Sequence, residues 1–140
     1  METLHGTTVA LDDASVLLLR PSGCVKLDLA LRLIDNGAAL VADDRSVLTA
    51  ENGAIIVRAP EAILGKLEVR GLGVVRITAR SSVRSTLVVK LHETLERLPA
   101  PEMIDLLGCR LRLLRPPAFE ASTPAKIRLA VRARPDDIEA

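Results

Sequence analysis

The sequence predicts a single α/β domain with a strand-rich core and flanking helices. Three observations carry that expectation. Short aliphatic and β-branched runs, each bounded by turn residues, recur along most of the chain. Two stretches, Lys26 to Asn36 and the residues after Thr123, carry helix signals instead. The length, 140 residues, suits one domain with a sizeable core, and no repeat, low-complexity segment or long linker divides it. The domain is therefore drawn at 1–134, with 135–140 as a frayed tail.

Each element has its own reason. Thr7 to Leu11 and Ser15 to Leu19 read as a strand hairpin, with Asp12 and Asp13 supplying the turn. From Lys26 to Asn36, Leu27, Ala30, Leu31 and Ile34 recur at helical spacing, and Gly37 sits where a helix end favours glycine. Ala39 to Ala42, Ser46 to Ala50 and Ala54 to Arg58 read as strands, the last two joined across Glu51-Asn52-Gly53. A helical turn at 60–65 follows Pro60, then strands at Leu67 to Arg70 and Val74 to Thr78 flank Gly71 and Gly73. Thr86 to Leu91 is a further strand, Glu102 to Leu107 a short helix, and Cys109 to Leu114 a strand. Thr123-Pro124 supplies an N-cap and first position for a helix to about Ala133.

Composition removes several functions. Hydrophobic residues make up 49% and charged residues 26%, the balance of a packed chain and not of a disordered one. Phe119 is the single aromatic residue, so the core is aliphatic and stacking platforms for single strands are excluded. A net charge of +1 gives no field that would gather nucleic acid or membrane. Cys24 and Cys109 make no disulfide framework, the N-terminus lacks signal-peptide character, and no apolar run reaches spanning length. A cytoplasmic setting follows as the expectation, with no nucleic acid and no membrane among the partners.

One stretch has the layout of a phosphate-binding loop. A P-loop reads G-x-x-x-x-G-K-[ST] between a strand and a helix, so that backbone N–H groups wrap the phosphates. Here the eight positions are Arg20, Pro21, Ser22, Gly23, Cys24, Val25, Lys26 and Leu27. The lysine is present, at the expected start of the helix. Arg20 and Val25 replace the glycines, and Leu27 replaces the hydroxyl residue. A β-branched valine adds bulk where backbone must approach phosphate, and leucine offers Mg²⁺ no oxygen. Taken alone, the stretch reads more simply as a strand, a surface turn and an amphipathic helix with Leu27 on its apolar face.

Four segments together resemble the catalytic domain of HPr kinase/phosphorylase, particularly the short bacterial forms without an N-terminal sensor domain. "LHGTTVAL" carries His5-Gly6; Ser22, Gly23 and Lys26 occupy P-loop positions before "LDLALRLIDNGA"; "LVADDR" supplies Asp43 and Asp44; and "LEVRGLGVV" is similar to the family signature, with Glu68, Arg70, Gly71 and Gly73. "VRST" at 83–86 and "ERLP" at 96–99, with Arg97, are similar to later family segments. The resemblance runs from His5 to about Arg132, and the two strings around Asp43 and Glu68 are its specific part.

The resemblance implies a P-loop kinase-like fold and a serine kinase using ATP and Mg²⁺. Its substrate would be a serine on an HPr-type phosphocarrier, with phosphate-driven removal of the same group, in regulation of the phosphotransferase system and of carbohydrate metabolism. It also implies a homo-oligomer. Asp43 would accept the serine proton and return it in the reverse direction, with Asp44 beside it. Lys26 would neutralise phosphate charge, Arg97 would stabilise charge on the transferring group, and His5 would bond phosphate or the aspartates. Glu68 would ligate Mg²⁺. His92 reads as surface.

The departures define two classes of function. Val25 and Leu27 make the Walker A loop degenerate, and "RPPAFE" at 115–120 does not reproduce the family's late glycine-arginine-asparagine loop. An impaired kinase is one reading; a non-catalytic relative acting as a protein-binding regulatory module is the other. Between Gly108 and Arg134, seven basic residues stand against the single acid Glu120, a net +6. Arg110 and Arg112 share one face of a strand, and Arg128 and Arg132 lie a helical turn apart, which suits a solvated face or an acidic protein surface.

Overall fold

The computed structural model describes residues 1–12, 14–19, 23–90, 102–116 and 121–132, and for 23–27 the backbone course alone. Its elements run β1 (Glu2–Leu11), β2 (Ala14–Leu19), α1 (Gly23–Asp35), β3 (Ala39–Ala42), β4 (Arg45–Glu51), β5 (Ala54–Arg58), a 3₁₀ turn (Glu61–Ile63), β6 (Lys66–Val69), β7 (Gly73–Arg76), β8 (Ser82–Arg84), β9 (Leu87–Lys90), β10 (Glu102–Leu106), β11 (Cys109–Leu114) and α2 (Thr123–Arg132). The main sheet is mixed, in the order β10-β11-β9-β2-β1-β4-β5-β8, with β3 also on β1; β6 and β7 form a separate pair. A strand-rich α/β domain is what the sequence leads one to expect.

Alternation in β2 and β9 divides the core into two. Val16 and Leu18 of β2, with Leu87 and Val89 of β9, pack against Leu29, Ala30 and Leu33 of α1 and Ile127 and Ala130 of α2. Leu17 and Val88 face the opposite way, onto Leu48, Ile55, Val57 and Val83 of the β4-β5-β8 wing. Strands buried on both faces read as continuous apolar runs, which is why "SVLLL" and "LVVK" show no polar alternation. A third cluster seats Leu67 and Val69 of β6 on Leu40 of β3.

The helices show where periodicity misleads. α1 begins at Gly23, three residues before the expected start, so Lys26 lies within its first turn. Its buried face is Leu29, Ala30 and Leu33, while Leu31 is 39% exposed. The apolar stripe is thus rotated from the one read in the sequence. The C-terminus closes as expected on glycine: Gly37 has φ +109°, its N–H bonds the Ile34 carbonyl at 2.9 Å, and the Ala38 N–H bonds the Leu33 carbonyl at 3.0 Å. In α2 the carbonyl of Ser122 accepts the first helical bond, from the Lys126 N–H at 3.0 Å, so the cap falls one residue before Thr123.

The short helix expected at Glu102 to Leu107 is a strand. Residues Glu102–Leu106 pair antiparallel with Cys109–Leu114, Leu106 opposite Cys109. Leu107 (φ +49°) and Gly108 (φ +79°) form the two-residue turn, and both angles are positive, as the tight hairpin turn that matches strand twist requires. The Leu107-Gly108 turn outweighs the weak helix propensity of five residues. Strand β8 is the other addition, three residues that close the wing by pairing Val83 with Val57.

The expected basic patch is largely tied into the fold. Arg112 donates from Nη1 to the Ala130 carbonyl of α2 at 3.0 Å, and Arg128 from Nη2 to the Leu33 carbonyl of α1 at 3.3 Å. Arg115 pairs with Glu102 at 2.9 Å, and Arg110 reaches Asp105 at 3.7 Å. Arg110 and Arg112 do share a face of β11, the one carrying α2. Arg134, Glu120 and the 135–140 tail lie outside the described residues.

Candidate active site

Strand directions bring the expected site residues to one edge of the sheet. β1 and β2 are antiparallel with Gly6 opposite Leu19, so the start of β1 lies beside the end of β2, where the 20–27 stretch begins. β9 is parallel to β2 with Lys90 opposite Leu19, and therefore ends at the same edge. β3 is antiparallel to β1, which carries Ala42 and the following Asp43 there too. Ligands bind beyond the carboxyl ends of parallel strands in α/β sheets, and this is such an edge. Arg20, Pro21, Ser22, His92 and Arg97 lie outside the described residues, as do the side chains of Gly23, Cys24, Val25, Lys26 and Leu27.

Asp43 and Asp44 do not turn the chain back. β3 and β4 run end to end along one side of β1, with Ala42 opposite Thr8 and Arg45 opposite His5. No residue is inserted there, since Asp43 and Asp44 span the same stretch as Thr7 and Gly6; the register shift of the β1–β3 pairing lies between Thr8 and Val9. Asp44 takes the left-handed conformation, φ +65°, which Asp tolerates better than most residues. The Asp44 carbonyl accepts the Gly6 N–H at 2.9 Å, and the Arg45 N–H bonds the Asp43 carbonyl at 2.7 Å. This break in the ladder leaves Asp43 half-buried and Asp44 exposed.

Asp43 then meets the β6–β7 pair. The Glu68 N–H donates to Asp43 Oδ2 at 3.0 Å. Burial raises the Asp43 carboxyl above its ordinary proton affinity; the Glu68 N–H and the Thr7 hydroxyl lower it, and the Asp44 and Glu68 charges raise it. Burial is the largest of these, so the net direction is upward. A carboxyl moved toward neutrality is the kind that serves as a proton acceptor and donor.

Local sequence explains the placing of Glu68. In β6 Leu67 and Val69 are buried and Glu68 between them points outward, by strand alternation. Arg70 follows, exposed, and the turn closes on a bond from the Leu72 N–H to the Val69 carbonyl at 3.0 Å. Gly71 at φ +87° and Gly73 at φ +110° supply its left-handed geometry, a conformational reason for the glycines of "RGLG". His5 stands exposed on β1, opposite Arg45.

Gly6 has a reason of its own. A Cβ there would lie 2.7 Å from Leu19 Cδ2 and 3.0 Å from both Leu17 Cδ1 and the Leu18 carbonyl oxygen. Only glycine lets β1 close on β2 where the loop begins. Missed in the sequence were the buried hydroxyls beside the two aspartates. Ser46 donates to the Gly6 carbonyl at 2.9 Å, so Thr8 is the donor in its 2.8 Å bond to Ser46. Thr7 accepts the Asp44 N–H at 3.1 Å. The Thr-Thr pair within the buried run Gly6 to Ala10 was the available signal.

Asp43, Asp44 and Glu68 offer hard oxygen donors, which suit Mg²⁺ held partly by substrate phosphate. Among the described residues, no cluster of three or more His, Cys, Asp or Glu side chains could hold a metal on its own. No described helix is long and apolar enough to cross a membrane.

Comparison with known proteins gives the family. A family model described as HPr Serine kinase C-terminal domain matches residues 1–115. The chain is 33% identical over 127 residues to the HPr kinase/phosphorylase of Clostridium perfringens (strain 13 / Type A), covering 81% of this chain and 41% of that protein. With the HPr kinase/phosphorylase of Malacoplasma penetrans (strain HF-2) it is 36% identical over 111 residues, 76% of this chain and 37% of that one. It thus spans about two-fifths of the length of these curated relatives. The structure of the HPr(Ser) kinase/phosphatase from Coxiella burnetii superposes with a TM-score of 0.83 at 25% identity, covering 94% of this chain and 95% of that one. The chain belongs to the HPr Serine kinase C-terminal domain family.

Proposed function

We propose that this chain is a cytoplasmic, oligomeric HPr kinase/phosphorylase-type catalytic domain, bounded at 1–134. It would transfer phosphoryl from ATP to a serine of an HPr-type phosphocarrier, and from that phosphoserine to inorganic phosphate, with turnover reduced by Val25 and Leu27. The observation that carries the reading is Asp43. It sits half-buried between β3 and β4 with raised proton affinity, bonded to the Glu68 backbone, at the edge where the 20–27 stretch begins.

In the forward direction the serine oxygen bonds the γ-phosphorus as the bond to ADP breaks, and Asp43 takes the serine proton. In reverse, phosphate attacks the phosphoserine and Asp43 returns the proton to the leaving oxygen. Lys26 and Arg97 place positive charge on the transferring group, and His5 bonds phosphate at the β1 end of the site. Mg²⁺, when bound, screens the phosphate charge. Glu68 would be its protein ligand, since Leu27 provides no oxygen; Asp44, Arg70, Gly71 and Gly73 would support the surrounding geometry.

The second reading, a non-catalytic protein-binding module, is favoured by the Val25 and Leu27 replacements. Titration calorimetry with ATP and Mg²⁺ separates the two, using the wild-type chain and the Val25→Gly/Leu27→Ser variant. Mg²⁺-dependent binding by the wild type, tightened by the reversions, supports the kinase. No binding by either chain contradicts the P-loop alignment. Binding by the reverted chain alone favours the module.

A further inference from the structure

We propose that the outer face of the β6–β7 pair is the docking surface for the serine-bearing protein substrate, which it holds through Leu72 and Val74 inside a basic rim of Lys66, Arg70 and Arg76. The inference rests on the reading of Asp43 as the residue that meets the acceptor serine. It begins with apolar side chains that the fold does not use. Leu72 is 78% exposed and Val74 65%, whereas Leu67 and Val69 of the same hairpin are buried on Leu40. Covering the exposed pair with a partner removes apolar surface from water.

The hairpin displays both residues on a closed frame. The Leu72 N–H bonds the Val69 carbonyl at 3.0 Å, and Gly71 and Gly73 hold positive φ on either side of Leu72. Turns favour Asn, Asp, Ser or Gly, and a leucine here adds nothing to the core. Val74 lies opposite Glu68 and Lys66 opposite Arg76, so these four exposed side chains share the face turned away from Leu40.

The charge pattern defines the partner. Two cations face each other at Lys66 and Arg76, an arrangement that is unfavourable in an isolated pair of strands. Arg70 adds a third, exposed beside the turn. Among the described residues none of the three enters an ion pair, unlike Arg110 and Arg115. A protein surface with acidic side chains around an apolar centre relieves that repulsion while it covers Leu72 and Val74.

Position selects the substrate as the occupant. The Glu68 N–H that bonds Asp43 Oδ2 at 3.0 Å belongs to β6, and Val74 is the cross-strand neighbour of Glu68. Side chains opposite each other in a sheet stand about 5 Å apart, so Val74 is one strand's width from the residue bonded to Asp43. A nucleotide reaches this edge without touching the outer face of the hairpin. A folded protein that presents a serine to Asp43 covers it.

The test uses the full chain and its Leu72→Ser/Val74→Thr variant, with an HPr-type carrier as the probe. Amide NMR titration follows carrier binding, transfer kinetics give KM and kcat, and melting and light scattering follow fold and oligomer. Expected are carrier-induced shifts at Leu72, Val74 and Arg76 in the wild type. The variant should show a KM for the carrier raised about tenfold or more, at the wild-type kcat and nucleotide affinity. Arg76→Ala should flatten the salt dependence of carrier binding. A folded variant that binds the carrier as the wild type does overturns the inference and leaves the kinase reading standing. Loss of the oligomer in the variant assigns the face to a second copy and also overturns it, as does a wild type that binds no carrier. Carrier binding that depends on Leu72 and Val74 in a chain without transfer activity upholds the docking surface and contradicts the kinase reading. Should the double variant not fold, Leu72→Ser alone is read by the same criteria.

Discussion

Gly6→Ala tests the close approach of β1 and β2 at the mouth of the site. The added methyl would sit 2.7 Å from Leu19 Cδ2 and 3.0 Å from the Leu18 carbonyl oxygen. The Leu19 tip is flexible and only partly buried, so it can swing aside; the carbonyl belongs to a paired strand and must give by a few tenths of an ångström. Overpacking of that kind costs about 1–3 kcal/mol. For a chain of this length, each kcal/mol lowers the melting temperature by about 3–4 °C, which gives a fall of about 3–12 °C. Moving Gly6 also strains its 2.9 Å bond to the Asp44 carbonyl, so transfer activity should fall more than stability alone explains. Calorimetric melting of wild type, G6A, Leu19→Ala and the double variant measures it. Because Leu19→Ala makes room for the new methyl, the double variant should lose less than the two single losses together. A melting temperature for G6A within about 1 °C of wild type, or additive losses, would refute the crowding argument.

Three further outcomes are expected. Leu107→Asn should stabilise the chain by about 1 kcal/mol, since leucine at φ +49° carries strain that asparagine largely avoids; a lower midpoint in urea unfolding would count against the β10–β11 turn geometry. Asp43→Asn should raise stability at neutral pH, because the fold binds the Asp43 proton more tightly than the unfolded chain does. The wild type therefore loses stability as pH rises from the ordinary value of 3.8 through the raised folded value, and its deficit against D43N closes in acid; a gap that stays constant from acid to neutral pH would contradict the raised affinity. Arg128→Ala should lower the melting temperature without altering nucleotide binding, because its bond to the Leu33 carbonyl ties α2 to the end of α1; unchanged melting would remove that tie from the account.

Much of the fold is legible in the sequence because local and tertiary preferences agree. Asn52-Gly53 and Gly37 adopt the positive φ values their turn and cap require, and the aliphatic runs of β2 and β9 are buried on both faces. Legibility fails where one outweighs the other. Five residues at 102–106 have little preference of their own and follow the hairpin formed with β11. In α1 the burial of Leu29 and Leu33 is set by β2 and β9, which periodicity within the helix cannot specify.

The site was readable as a set of strings but not as an arrangement. "VADD" suggests acids at a turn, whereas the chain continues along β1 and the acids join β3 to β4 in line, because β1 pairs with β4 at one end and β3 at the other. The bond between Asp43 and the Glu68 backbone joins residues 25 apart in sequence and depends on β6 packing over β3. Thr7 and Ser46 escaped notice because a buried hydroxyl has meaning only once the missing ladder bonds are known.

The most direct test of the central claim is phosphoryl transfer from ATP to an HPr-type carrier, followed by intact-mass spectrometry with wild type and Asp43→Asn. The account predicts one phosphoryl group on the carrier, slow with the wild type, lost when the acceptor serine is replaced by alanine, and absent with D43N while that variant still binds nucleotide. Equal transfer by D43N would contradict the role of Asp43, and no transfer by a wild-type chain that binds ATP and Mg²⁺ would contradict the kinase reading.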